Sequence, residues 1–222
     1  MATKTYSIRA ERISENSLAI DCGRPRKLYR YSRAQWLERS LKFGEFRLGP
    51  AADYNDLITD PGRNDDELVR LQTTEGKHVQ ITLVGTGENI TPIGDVTYRS
   101  EVHTNYLVSC FSTIWDRHLF DEFLDANACL VIHEVEEFCE RIHAAAEVQF
   151  PRWVGIDGAA TYGGRSPLGA VFSKPIRFVP QQEWRFAWMP PEPIRNLGPR
   201  FLRVENIETL AELRLKEEPG TP

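Results

Sequence analysis

Apolar and polar positions along the chain switch repeatedly between periods of two and of three to four. Leu28-Tyr29-Arg30-Tyr31-Ser32 is short, aromatic and bounded by charge, which predicts a strand with one buried face. Trp36, Leu37, Leu41 and Phe43 then recur at helical spacing, so residues 33–43 read as a helix. Ser32 is placed to cap it, and Gly44 follows as its stop. Glu45 to Leu48 alternates again, while residues 1–27 read as a leader strand or N-terminal arm.

From Ala51 to about Gly76 the chain is polar and acidic, which predicts a loop or a partly helical excursion. Residues 77–84 alternate as a strand, with 95–101 as the returning arm of a hairpin. Tyr106 to Ser112 is the most apolar strand of this half and belongs near a sheet centre. Residues 115–126 read as helical. Cys129 to Ile132 leads into an amphipathic helix over 133–147, with Val135, Phe138, Cys139, Ile142 and Ala146 on its apolar stripe.

The glycine-rich stretch 150–169 predicts a hairpin or an irregular crossing loop, and Val171-Phe172 and Ile176 to Val179 predict strands. Glu183 to Trp188 alternates: Trp184, Phe186 and Trp188 share one face as core, which leaves Glu183, Arg185 and Ala187 to line a cleft on the other. A closing strand and a turn of helix fill 201–216, and 217–222 is a flexible tail. The pattern predicts one α+β domain over residues 28–216.

Composition narrows the classes. The 222 residues are 41% hydrophobic, enough for one substantial core and too apolar for a disordered chain. A net charge of −5 gives no global field for nucleic acid, although a local basic cleft is compatible with it. No apolar run approaches the roughly 18 residues of a membrane span, and the first residues lack an apolar signal core, so a cytoplasmic protein is expected. Four scattered cysteines form no C-x-x-C pair, against structural zinc or a disulfide framework. The phosphate-binding, hydrolase-elbow and H-E-x-x-H patterns are all missing.

His133, Glu136, Glu140 and His143 fall within about 80° of one another on a helix, a spacing that can hold a transition metal. The apolar stripe opposite them makes a solvated face the stronger reading, so no metal is expected. The acidic segment 53–67 could hold a divalent ion in a nuclease-like toxin, but its residues read as loop.

Three distant segments combine cation, hydroxyl and carboxylate: Tyr29-Arg30-Tyr31-Ser32, Ser109-Cys110-Phe111-Ser112-Thr113 and Gln181-Gln182-Glu183-Trp184. Those groups can hold a dinucleotide and stabilise positive charge at a sugar carbon. Their order, with the intervening helix, Gly44 and Phe46-Arg47-Leu48, resembles the ADP-ribosyltransferase-like folds of Arg-Ser-Glu type. The chain is also similar to a family of uncharacterised bacterial proteins sharing Tyr-x-Tyr-Ser, a Tyr-Asn-Asp element (here Tyr54-Asn55-Asp56), Ser-Cys-Phe-Ser and Glu-Trp-Arg.

The resemblance implies a twisted sheet split into two facing halves around a nucleotide cleft, flanked by helices. It implies NAD as co-substrate, bound by Arg30 and Ser32, with Ser112, or Ser109 in the other register, orienting the carboxylate or a ribose. Glu183 would stabilise the charge left as nicotinamide departs, and Gln181 would orient the acceptor. The implied protein is an NAD-dependent ADP-ribosyltransferase, a toxin, effector or defence protein. Its acceptor would be a protein or a nucleic acid, and its partner an antitoxin or immunity protein. An NAD glycohydrolase and a non-catalytic nucleotide-binding module are the alternatives on the same fold.

Overall fold

A computed structural model describes residues 10–14, 17–20, 23–56, 62–83, 85–164 and 166–216. Ten strands build one sheet: β1 (Ala10–Ser14), β2 (Ser17–Ile20), β3 (Leu28–Ser32), β4 (Glu45–Pro50), β5 (Leu107–Ser112), β6 (Ala128–Ile132), β7 (Val154–Ala159), β8 (Glu183–Met189), β9 (Arg200–Arg203) and β10 (Ala211–Leu215). Their order is β1-β2-β7-β8-β5-β3-β6-β10, and β4 pairs with both β5 and β9. The β2–β7 pair is parallel and the others are antiparallel, so the fold is α+β.

Two helices, α1 (Ala34–Phe43) and α3 (Val135–Gln149), contribute to one core on a single face of this sheet. The aromatic alternation of β8 delivers Trp184, Phe186 and Trp188 to that core, and α3 delivers the apolar stripe read from the sequence. Phe138 is fully buried, its ring centroid 5.4 Å from those of Phe46 and Phe111 and 5.8 Å from that of Phe186. Burying each such side chain contributes about 1.5–3 kcal/mol.

Local signals set the ends of α1 only in part. Gly44 closes it in the left-handed conformation at φ 63°, and a Cβ there would lie 1.7 Å from the Val204 carbonyl oxygen. Ser32 does not cap it. The residue before α1 is Arg33, which makes no side-chain capping bond, and the Ala34 N–H donates instead to Asn127 Oδ1 at 2.7 Å.

Other expectations are corrected where a tertiary partner overrides local pattern. Within 115–126 the one α-helical turn is α2 (Leu119–Glu122), whose Leu119 and Phe120 pack beneath Tyr31. Among the described residues of 77–84, just Ile81–Thr82 is strand, paired with Asn89–Ile90, because Val96–Glu101 takes Val69–Thr74 as its partner. Ala170–Phe172 and Ile176–Gln181 are 3-10 helices rather than strands, and Pro175 and Pro180 remove ladder donors there. The glycine-rich stretch contains interior strand β7, between β2 and β8. Gly155 allows this, since a Cβ would lie 2.7 Å from His143 Nδ1 on α3. Among the described residues no helix is long and apolar enough to cross a membrane.

Candidate functional site

Strand β5 is paired along its whole length on one flank, from Glu183 opposite Ser112 to Trp188 opposite Leu107. Its other flank is shared. β3 meets it at Tyr29 opposite Ser112, β4 meets it at Gly49 and Pro50 opposite Val108 and Leu107, and Ser109, Cys110 and Phe111 between have no strand register partner there. Residues opposite each other share a sheet face, so Ser112, Glu183 and Tyr29 project from one face and Ser109, Phe111 and Arg30 from the other. The fork between β3 and β4 brings the two sets to one cleft of about 1170 Å³, lined by Arg30, Ser32, Ser112, Lys174, Gln181 and Glu183 among others.

Arg30 fills the fork. Its Nη1 donates to Ser109 Oγ at 2.8 Å and its Nη2 to the Arg47 carbonyl at 3.2 Å. The guanidinium carbon lies 5.3 Å from the Phe111 ring centroid and 5.9 Å from that of Phe46. Burial pushes its pKa below the ordinary arginine value, and among the described residues no carboxylate pairs with it. A partly buried cation without a counter-ion is costly, and an anion in the cleft relieves that cost. Ser109 is therefore the hydroxyl that holds Arg30. Ser112 Oγ donates to the Ile114 carbonyl at 3.0 Å and accepts from the Ile114 N–H at 3.2 Å, which closes the turn after β5.

Glu183 is buried and charged. Burial alone would raise its pKa, but Lys174 Nζ at 2.7 Å and Arg185 Nε at 2.8 Å outweigh that and hold the carboxyl at about 2. Its backbone N–H donates to the Tyr162 hydroxyl at 2.6 Å. Arg185 continues to Glu67 at 2.6 and 2.8 Å, and Arg70 pairs with Asp65 at 2.9 Å, so three acids and three bases form one low-exposure network. Sequence reasoning missed Lys174, Glu67 and Tyr162, because each reaches Glu183 or Arg185 from a different connection. The one available signal was Arg185 on the same strand face as Glu183.

Gln181, expected to orient an acceptor, is 1% exposed. Its Oε1 accepts from Lys174 Nζ at 2.8 Å and its Nε2 donates to the Gly62 carbonyl at 2.7 Å. It pins the start of β8 to Gly62, within the acidic excursion. Asp65 and Glu67 of that excursion are likewise committed to arginines.

The helical stripe is corrected at His143, which is buried rather than solvated. Its Nε2 shares a 3.0 Å hydrogen bond with Asp157, which also accepts from Arg24 Nε and Nη2 and from Trp184 Nε1, each at 3.1 Å. His133 pairs with Glu212 and Glu136 with Arg24, so three of the four stripe residues, His143 included, are engaged by partners outside the stripe. Among the described residues no group of three or more metal-ligating side chains is poised for an ion. Trp153 packs against the core, whereas Trp115 stays 41% exposed beside Tyr29 and Tyr31. Compared with models of protein families, with curated proteins and with solved structures, the chain matches none, so its chemistry is read from this geometry.

Proposed function

We propose that the cleft binds NAD as a co-substrate and that the protein is an NAD-dependent ADP-ribosyltransferase, built on a sheet split at the fork around a nucleotide cleft. The observation that carries this is Arg30, a guanidinium in the cleft wall with no carboxylate partner among the described residues, in the same cleft as the ionised Glu183. Its free charge suits a diphosphate or the ribose hydroxyls beside it.

In the reaction the bond between the ribose anomeric carbon and the nicotinamide nitrogen breaks, and the electron pair leaves with nicotinamide. The acceptor nucleophile bonds to that carbon and loses its proton to water. Glu183, anionic throughout the neutral range, would accept the ribose 2′-hydroxyl and stabilise the positive charge that develops, an effect of several kcal/mol in a water-poor site. With water as acceptor the same steps make a glycohydrolase. A toxin, effector or defence role fits a chain that consumes NAD.

A second reading is favoured by one observation: both Glu183 oxygens are already engaged, by Lys174 and by Arg185. A carboxylate so neutralised suits a binding module without turnover. Incubation with NAD separates the readings. Nicotinamide release that disappears in a folded Glu183→Gln variant supports the transferase, binding without release supports the module, and no NAD binding to the wild-type chain refutes both.

A further inference from the structure

We infer that the outer end of the cleft, between α1 and the β4–β9 ribbon, is the acceptor subsite and takes single-stranded nucleic acid. The inference rests on the proposed transferase reading and adds the class of its acceptor. Trp36 and Phe201 both line this end and are 53% and 51% exposed, although Leu37 and Leu202 beside them are buried in the core. Two large rings are thus held in water by rigid elements, and an exposed ring so held is a platform on which a base stacks.

Cations stand beside the rings. Arg47 lies directly opposite Phe201 across the ribbon, and its Asp53 partner is 3.8 Å away, a loose contact. Arg203 shares the face of Phe201 two residues along β9, opposite Glu45, and Glu45 is already held by Arg39 at 2.7 Å. Six cations and five carboxylates line the whole cleft, one more cation than carboxylate in a chain of net charge −5. Its volume of 1170 Å³ exceeds the upper end of ordinary single-ligand pockets, about 1,000 Å³, and leaves room for an acceptor beside a dinucleotide. An acidic peptide would use the arginines and leave both rings idle. Bases stacked on Trp36 and on Phe201, with flanking phosphates on Arg47 and Arg203, use all four.

The test is direct titration of the full chain with oligothymidylate and oligouridylate of about 12 nucleotides at low salt, followed by tryptophan fluorescence and anisotropy. The expected result is salt-sensitive binding. Trp36→Ala and Phe201→Ala each weaken it about 5- to 150-fold, and Arg47→Ala and Arg203→Ala each lower the salt slope by about 0.7. Trp36, Phe201 and Arg203 are exposed and make no bond to the groups assigned to NAD, so those three variants keep the wild-type melting temperature and NAD affinity. Absence of oligonucleotide binding, or binding indifferent to Trp36→Ala and Phe201→Ala, overturns the inference, as does labelling of a protein acceptor that competes for the same rings. Those results leave nicotinamide release from NAD untouched. Loss of NAD binding in the wild-type chain would instead overturn the transferase reading.

Discussion

Replacing Glu183 by glutamine keeps the shape of the side chain and removes the charge that joins Lys174 to Arg185. In the folded chain this carboxyl sits at about 2 against its ordinary 4.5, which at about 1.4 kcal/mol per pH unit is about 3 kcal/mol of stability. The sign follows from a depressed carboxylate: the contribution is complete above pH 4.5 and is lost as pH falls towards 2, because the unfolded chain takes up the proton first. By pH 3 about 2 kcal/mol of it is gone. Burial pushes Glu67 in the opposite direction, but Glu67 is present in both proteins and largely cancels from their difference. Urea unfolding of wild type and Glu183→Gln should therefore differ by about 3 to 5 kcal/mol at pH 7, the upper part reflecting the unpaired cations left behind. The gap should narrow by about 2 kcal/mol at pH 3. A difference of the same size at both pH values would refute the assignment of charge to this network.

Three further expectations follow from single residues. Arg30→Ala should lower NAD affinity about 10- to 100-fold by calorimetry while the fold persists, since its guanidinium offers a charge-assisted bond worth about 1.5–3 kcal/mol; unchanged affinity would remove Arg30 from the site. Gly44→Ala places a Cβ 1.7 Å from the Val204 oxygen at φ 63°, and should cost about 2 kcal/mol or more. A melting temperature equal to wild type would contradict that geometry. Asp157→Asn weakens the common acceptor of Arg24, His143 and Trp184 and should cost about 1.5–3 kcal/mol in urea unfolding, because it removes the buried anion from Arg24 and leaves it the exposed Glu136 alone; a loss below about 1 kcal/mol would mean those bonds are replaced by solvent.

Much of the fold was written locally. The strand at 28–32, the helix ended by Gly44, the strand at 107–112, the amphipathic α3 and the aromatic alternation of β8 all follow from periods of two or 3.6 residues, because each element must bury one stripe against the core. The failures share a cause. Alternation at 77–84 found little partner to pair with, the strand β7 was hidden by glycines, of which Gly155 is required by the close approach of α3, and the cap of α1 came from Asn127, far along the chain.

The candidate residues were named from their types and order, yet order alone could not place them together. Arg30 and Glu183 leave opposite faces of the sheet, and they share a cleft because β3 and β4 divide the flank of β5 between them. Ser109 rather than Ser112 holds the arginine, and Lys174 and Arg185 hold the acid in its charged form. The sequence determined which stripes were apolar and which chemistry-bearing side chains were present, since these are properties of neighbours along the chain. Pairing, burial and charge balance between segments more than a hundred residues apart were decided by the tertiary structure, because an electrostatic field depends on distance in space.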